Sequence, residues 1–111
     1  MRVTWSPVAL RRVDEIVDHM SRERPGTAAQ WAEGLFDLVY RLRTFPDSGR
    51  MVPELGQPSI RELIYGEYRV VYKVEGSKIG VLTVHHGRRQ FPVSEPRRRT
   101  APFTRRSAPR A

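Results

Sequence analysis

The segment 59–91 constrains the fold more than any other part of the chain, because it contains three strand patterns in succession. Its sequence, SIRELIYGEYRVVYKVEGSKIGVLTVHHGRRQF, alternates side chains with a period of two, and Gly66 and Gly76-Ser77 supply two hairpin turns. The middle strand carries Arg69, and the third strand continues into the basic cluster His-His-Gly-Arg-Arg at residues 85–89. The pattern predicts an antiparallel meander that delivers cationic groups to one end of a rigid sheet, where they can meet phosphate or an acidic partner.

Two amphipathic helices are predicted before this meander. A short strand at residues 3–5 precedes Ser6 as N-cap and Pro7 at the first helical position, and this helix is expected to end near Glu23. A capping box at residues 27–30 predicts the start of a second helix that ends near residues 43–44. The two apolar stripes are Ala9, Leu10, Val13, Ile16, Val17 and Met20, and Ala28, Trp31, Ala32, Leu35, Leu38, Val39 and Leu42.

The two helices and the meander together predict a two-layer α+β domain. A short break between the helices indicates an antiparallel hairpin, and one face of the sheet is the available partner for its apolar stripes. The expected element order is β-α-α-β-β-β, with a turn-rich loop at residues 45–58 and a small, mostly antiparallel sheet. In the third strand of the meander, alternation places Ile79, Val81, Thr83 and His85 on one face and Leu82, Val84 and His86 on the other.

Charge divides the chain into two parts. Residues 1–91 hold 14 Lys/Arg against 11 Asp/Glu, whereas residues 92–111 hold six arginines against Glu95 alone. We therefore expect a folded domain at 1–91 and a disordered Arg/Pro-rich tail at 92–111. The tail either adds affinity for nucleic acid or an acidic partner, or is a solvated extension.

Several classes of protein are disfavoured by composition. The 111-residue chain has no cysteine, which excludes disulfides and thiolate metal sites. Its apolar runs are far shorter than the roughly 20 residues of a membrane span, and the start MRVTWSP lacks the apolar core of a signal peptide. A cytoplasmic protein without membrane contact is expected.

The ordered set of these features resembles the RelE/ParE superfamily of bacterial toxins, the toxin halves of type II toxin–antitoxin modules. The resemblance covers residues 2–91 and rests on the element order and on short segments along the chain. These are Trp5-Ser6-Pro7, Phe45-Pro46, Arg61-Glu62-Leu63, Tyr68-Arg69-Val70-Val71-Tyr72 and His86-Gly87-Arg88-Arg89.

The resemblance implies one of two activities. RelE-like members cut messenger RNA on the ribosome without a metal, whereas ParE-like members share the fold and are associated with inhibition of DNA gyrase. Arg69 and Arg89 match RelE arginines, but Ile60 and Glu62 stand where RelE members carry lysines, and Glu95 falls at the position of a late tyrosine. If Gly66-Glu67 is a two-residue turn, Glu62 can pair with Arg69 and neutralise it. The chain is therefore expected to be ParE-like.

Two alternatives remain open. A RelE-like ribosome-dependent RNase would use Arg69, His85 or His86, and Arg89, with a histidine as the acid or base in place of the tyrosine. The chain could also be a degenerate, non-toxic binding module that has neither activity. Both histidines can also be structural, and the two tryptophans are expected in the core.

The resemblance also implies partners and contact residues. A cognate antitoxin and DNA gyrase are expected, or the ribosome and messenger RNA under the RNase alternative, and operator DNA only through the antitoxin. The candidate target- or antitoxin-binding residues are Arg61, Arg69, His86, Arg88 and Arg89. For Arg69, a structural ion pair with Glu62 is the competing interpretation. No cofactor or metal is expected, since no carboxylate lies at ligand spacing beside the histidines.

Overall fold

The computed structural model describes residues 1–87, which form an α-helical hairpin packed on a five-stranded sheet. The elements are β1 (Arg2–Trp5), α1 (Pro7–Glu23), α2 (Pro25–Tyr40), a 3₁₀ turn (Arg41–Arg43), β2 (Arg50–Met51), β3 (Ile60–Tyr65), β4 (Tyr68–Glu75) and β5 (Lys78–His86). The strand order is β1-β5-β4-β3-β2, with β1 parallel to β5 and every other pair antiparallel. The predicted α+β class is confirmed. The two-residue β2 lies within the segment predicted to be a loop.

The predicted tail at 92–111 lies outside the described residues, and so do Arg88 and Arg89. Within residues 1–87, no helix has both the length and the apolar character that a membrane crossing requires.

The start of α1 is fixed by Ser6, as predicted. Its buried hydroxyl accepts a hydrogen bond from the Ala9 amide at 3.0 Å and donates one to the Leu82 carbonyl at 2.8 Å. Ser6 therefore caps the helix and also anchors it to β5.

The predicted start of α2 at the capping box is wrong. The helix begins three residues earlier, with Arg24 in place of Thr27 as N-cap and Pro25 as its first residue, and Arg24 makes no side-chain cap hydrogen bond. Proline suits the first helical position because its φ is preset and its missing N–H would be unsatisfied there anyway. The break between the helices is thus the single residue Arg24, whose amide bonds the Met20 carbonyl at 2.7 Å.

The main core lies between the helical hairpin and one face of the sheet. Its fully buried side chains include Leu35, Val39, Leu42 and Tyr72, and burying each aliphatic member contributes about 1.5–3 kcal/mol. Both tryptophans pack against this cluster, as predicted. Leu10 does not belong to it, since its side chain is 46% exposed. It lies one residue, or 100°, beyond the buried Ala9 on the helix surface.

A β-bulge at Leu82 changes which side chains of β5 face the helices. Val71 pairs with Thr83 while Tyr72 pairs with Val81, so Leu82 is an extra residue in its strand. Val81 and Val84 consequently both join the main core. The alternation predicted through residues 79–86 is therefore wrong beyond Val81, because a one-residue insertion reverses the faces of all later residues. The hydroxyl of Ser6 bonds the carbonyl of the bulged residue.

The opposite face of the sheet carries a second, smaller core. Val52, Ile60, Val71 and Leu82 are buried there, and Leu55 packs against them. The connection between β2 and β3 thus covers part of this face. We call the whole side of the sheet opposite the helices the open face.

Candidate functional site

Arg69, the arginine inside β4, is held by two carboxylates on the open face. Its Nε donates to Glu62 Oε1 at 2.6 Å, and its two terminal nitrogens donate to the two oxygens of Glu54 at 2.9 and 3.0 Å. Its side chain is 9% exposed. The predicted pair with Glu62 is confirmed. The two-residue turn at Gly66-Glu67 places Ile64 opposite Arg69, which makes Glu62 its diagonal neighbour.

The contacts of Arg69 belong to a larger charge network made of Glu54, Arg69, Glu62 and Arg50. The Glu62 side chain is fully buried, and its second oxygen accepts hydrogen bonds from Nε and Nη2 of Arg50, both at 2.7 Å. Two carboxylates and two guanidinium groups alternate, so the network carries no formal net charge. Buried ions need this degree of pairing, because an unpaired charge there would cost several kcal/mol, on the order of 3–5.

Protonation equilibria reflect the same contacts. The hydrogen bonds from Arg69 hold the pKa of the Glu54 carboxyl below its usual range, against the opposing effect of burial, and His85 adds a smaller contribution in the same direction. The hydrogen bonds to Glu54 raise the pKa of Arg69 further above its already high ordinary value, with Glu62 contributing less. Glu54 and Arg69 are therefore both ionised at neutral pH.

The two histidines lie on opposite faces of the sheet, as predicted. His85 pairs directly with Arg69 in the β4–β5 register and is 8% exposed on the open face. His86 pairs with Tyr68 on the helix side, where its ring lies 5.4 Å from that of Tyr68, and its Nε2 is 3.3 Å from Glu67 Oε1. Of the residues predicted for an RNase site, the structure brings Arg69 and His85 together. It turns His86 away from them, and Arg89 lies outside the described residues.

A cleft of about 260 Å³ opens at this end of the sheet. The lining residues are Arg50, Ile64, Gly66, Glu67, Tyr68, Arg69, His86 and Gly87. The Arg50 side chain is 61% exposed although it bonds Glu62. The cleft therefore presents Arg50, Glu67 and His86 to a partner. The guanidinium of Arg69 is instead hydrogen-bonded to two carboxylates of the same chain.

Arg61 lies on the helix side of β3 and holds a loop in place. Its Nη1 donates to the Gly49 carbonyl at 2.8 Å, and its Nε is 3.7 Å from Asp47. The buried Tyr72 hydroxyl secures the same loop, since it accepts from the Gly49 amide at 2.9 Å and donates to the Pro46 carbonyl at 2.8 Å. The predicted binding residue Arg61 thus has a structural role in fixing residues 46–49.

A second surface, which sequence reasoning missed, lies at the β1 edge of the sheet. A groove of about 420 Å³ is lined by Met1, Arg2, Val3, Trp5, Phe36, Val39, Tyr40 and Arg43, and we call it the edge groove. Phe36 and Tyr40 are 42% and 62% exposed. The Phe36 ring packs 4.9 Å from Trp5, and the Arg43 guanidinium stacks 4.3 Å above the Tyr40 ring.

Backbone groups along the edge groove are also turned outward. The amide of Ser6 donates to the Val81 carbonyl of β5 at 2.9 Å, and the amide of Arg2 donates to the carbonyl of Ser77, just before β5, at 3.1 Å. Since alternate residues of a strand point their peptide groups to opposite sides, those of Val3 and Trp5 face the edge that no other strand of residues 1–87 covers. The edge groove therefore combines exposed aromatic rings, two arginines and an open strand edge.

Comparison with known proteins identifies the family. Residues 3–91 match the family model described as "ParE toxin of type II toxin-antitoxin system, parDE". The chain belongs to this ParE family. A relative called "Putative toxin Y4kP", from Sinorhizobium fredii (strain NBRC 101917 / NGR234), is 32% identical over 97 residues, which are 82% of this chain and 93% of that protein. The superfamily resemblance seen in the sequence is therefore confirmed.

A solved structure supports the fold. A chain described as "Chromosomal ParDE TA system from P. aeruginosa" superposes with a TM-score of 0.66 at 22% identity, covering 78% of this chain and 95% of that chain.

The sequence contains a signal for the exposed rings of the edge groove but none for the second carboxylate that bonds Arg69. Glu54, in a turn-rich loop, gave no signal as a partner of Arg69. Phe36 and Tyr40 did give one, because they are aromatic residues four positions apart on α2 that lie off its apolar stripe. Residues 1–87 contain no group of three or more His, Asp or Glu side chains arranged to hold a metal ion.

Proposed function

We propose that this chain is a ParE-like toxin that acts in the bacterial cytoplasm by inhibiting DNA gyrase, and hence replication, and that a cognate antitoxin neutralises it. The observation that carries the proposal is that the guanidinium of Arg69 is hydrogen-bonded to the carboxylates of Glu54 and Glu62. Arg69 matches the mid-sheet arginine that RNases of the superfamily direct at phosphate.

The charge network makes this position a poor phosphate ligand. A phosphate at Arg69 would have to displace Glu54 and would then face the buried carboxylate of Glu62. Separating a buried charge from its partner costs on the order of 3–5 kcal/mol. Cleavage of RNA requires free cations around the scissile phosphate, so a non-enzymatic mode of action fits the described residues better.

The end of the sheet at the cleft is the proposed contact with the target. Arg50 and His86 lie at its rim, and Arg88 and Arg89 follow directly in the sequence. The exposed guanidinium of Arg50, together with the positive charges of Arg88 and Arg89, suits an acidic protein surface or one with DNA bound to it. Arg61 and Arg69 contribute by holding the neighbouring loop and strand in shape.

The edge groove is the proposed docking surface of the antitoxin. Its exposed rings suit an apolar side chain, Arg2 and Arg43 suit acidic neighbours of that side chain, and the open β1 edge can accept an added strand. An extended, acidic and amphipathic antitoxin segment matches all three features. Operator DNA would be bound by the antitoxin within the complex.

The test is pulse-labelling of DNA and protein synthesis within minutes of inducing the chain without its antitoxin. DNA synthesis is expected to fall first while translation continues, and purified toxin is expected to inhibit supercoiling by gyrase. His85→Ala, checked for folding by circular dichroism, is expected to remain toxic, because His85 lies outside the lining of the cleft and a non-enzymatic toxin needs no acid or base there. Loss of toxicity in folded His85→Ala would contradict the proposal.

A second candidate, the ribosome-dependent RNase, has one observation in its favour, namely the direct pairing of His85 with Arg69 in the β4–β5 register. It predicts an early fall in translation, cleavage of translated messages and loss of both in His85→Ala. If neither DNA synthesis nor translation fell, the chain would instead be a non-toxic binding module.

A further inference from the structure

Arg50 is an exposed cation of the cleft whose position is fixed from below. The buried carboxylate of Glu62 accepts hydrogen bonds from its Nε and Nη2, both at 2.7 Å and both with the same oxygen. A guanidinium has five N–H groups, so both protons of Nη1 and one of Nη2 are left for a partner. Arg50 is 61% exposed. It therefore presents an oriented outer edge, and a ligand that binds there immobilises little further side-chain freedom.

Other parts of the cleft lining offer an apolar surface. Ile64 is 56% exposed, and the neighbouring wall contains Gly66 and Gly87, which carry no side chain. Gly87 is held by a hydrogen bond from its amide to the Glu67 carbonyl at 2.6 Å. It also lies against the aliphatic stem of Arg69, since a Cβ added to it would be 3.5 Å from Cγ of that arginine. The cleft thus joins a hydrocarbon surface to the outer edge of one guanidinium.

Acidic groups around the cleft disfavour a chain of phosphates. The Glu67 side chain lines the cleft and is 71% exposed, and Glu54, which bonds Arg69, is 28% exposed. A nucleic acid backbone needs one cation for each phosphate contact, and here it would meet these carboxylates. A single carboxylate needs the edge of Arg50 alone. An isolated phosphate would also suit that edge, but it would gain nothing from the exposed hydrocarbon of Ile64.

We propose that the cleft binds a segment of the target protein in which an acidic side chain adjoins an apolar one. Arg50 takes the carboxylate in a bidentate contact through Nη1 and Nη2, and the apolar side chain covers Ile64. The cleft, at about 260 Å³, is smaller than the roughly 300–1,000 Å³ of sites that enclose a drug-sized molecule, so it suits one side chain. The identity of the partner rests on the proposed function, whereas the chemistry of the cleft does not.

The test is a titration of the full chain with the peptide acetyl-Leu-Asp-Leu-amide, followed by nuclear magnetic resonance. Binding is expected to shift the amide signals of Gly66 and Gly87 and the methyl signals of Ile64. Two matched peptides separate the contributions, namely acetyl-Leu-Asn-Leu-amide, which lacks the charge, and acetyl-Gly-Asp-Gly-amide, which lacks the apolar side chains. Each is expected to bind at least about fivefold more weakly, because each loses one of the two contacts.

Two variants test the same contacts from the side of the protein. Arg50→Gln and Ile64→Ala are each expected to weaken binding of acetyl-Leu-Asp-Leu-amide, and inhibition of gyrase, at least about fivefold. The matched controls lie on α1, outside the cleft. Arg22→Gln changes another exposed arginine that bonds a carboxylate, and Leu10→Ala changes another exposed aliphatic side chain. Both controls are expected to behave as the native chain, and circular dichroism establishes that all four variants are folded.

The outcomes separate this proposal from the proposed function. Equal binding of the three peptides, or binding that Arg50→Gln leaves unchanged, would overturn the assignment. Inorganic phosphate that binds the cleft more tightly than the acidic peptide would overturn the choice of a carboxylate. Gyrase inhibition that persists in both cleft variants would leave the proposed target in place but remove the cleft as the contact. Selective peptide binding by a chain that does not inhibit gyrase would support the chemistry of the cleft and contradict the proposed target.

Discussion

Glu54 and Glu62 bond the same guanidinium but lie at different depths. The Glu62 side chain is fully buried and bonds two arginines, whereas the Glu54 side chain is 28% exposed and bonds Arg69. Glu62→Gln is therefore expected to lower the free energy of unfolding by about 3–5 kcal/mol, because it removes the buried carboxylate that bonds both arginines and leaves Arg69 with one carboxylate of the network, Glu54. Glu54→Gln is expected to cost about 1–3 kcal/mol.

Urea denaturation checks both values, with Glu75→Gln as the control. Glu75 is 69% exposed and lies 3.6 Å from Lys73, so its change is expected to cost no more than about 0.5 kcal/mol. A loss for Glu62→Gln as small as that of the control would show that the charge network contributes little to stability.

Glu54 also gives stability a defined dependence on pH. Its pKa is lower in the folded protein than in the unfolded chain, so its contribution is fully present above the unfolded pKa of about 4.3 and is lost as pH falls through the folded value. Arg69 stays protonated throughout and adds no dependence there. The free energy of unfolding between about pH 6 and pH 3 is expected to fall more steeply for the native chain than for Glu54→Gln. Parallel curves would contradict this origin.

The pairs within the charge network differ in how far sequence could predict them. The pair of Glu62 with Arg69 followed from the length of one hairpin turn, because two turn residues fix the register of both strands. The pair of Glu54 with Arg69 depends on how an irregular loop crosses the open face. No periodicity encodes that path.

At the scale of elements, Gly34 of α2 packs against the side chain of Tyr65 in β3. A Cβ added there would collide with the Tyr65 hydroxyl, which donates to the Trp31 carbonyl at 2.8 Å. Replacing glycine by alanine inside a helix normally stabilises it by roughly 0.5–1 kcal/mol. Gly34→Ala is instead expected to lower the free energy of unfolding by about 1–3 kcal/mol, as measured by urea denaturation.

Two further variants isolate this contact. Gly26→Ala, in the same helix but with no atom near the added Cβ, is expected to be neutral or stabilising. In a Tyr65→Phe background, Gly34→Ala is expected to cost less than in the native chain, because the colliding oxygen is gone. Equal costs in both backgrounds would show that the hydroxyl does not set the separation of α2 and β3.

Elements were easier to predict than their boundaries and faces. Periodicity over many residues predicts both helices and the meander, and it also predicts that the helices pack on one face of the sheet. The start of α2 and the bulge at Leu82 are not predicted in this way, because each involves a single position that no periodicity marks. The bulge at Leu82 accepts a hydrogen bond from Ser6, which is 76 residues away in sequence.

At the scale of the whole molecule, the cleft and the edge groove have different lining residues, so their proposed roles can be separated. Tyr40→Asp combined with Arg43→Glu changes the edge groove at two exposed positions while leaving Arg50, His86 and the charge network intact. Toxicity on induction is expected to persist, because the proposed target contact is unchanged. Neutralisation by the cognate antitoxin is expected to weaken at least tenfold, since the new charges repel acidic side chains and one ring is lost.

The measurement is growth of cells that express toxin variant and antitoxin together at graded antitoxin levels, with binding of the purified pair as a second readout. Arg11→Glu on α1 serves as the control, because it reverses an exposed charge outside the edge groove. A double variant that is still fully neutralised would place the antitoxin elsewhere on the fold. A folded variant that loses toxicity would instead mean that the edge groove also contacts the target, and the two surfaces would then act as one.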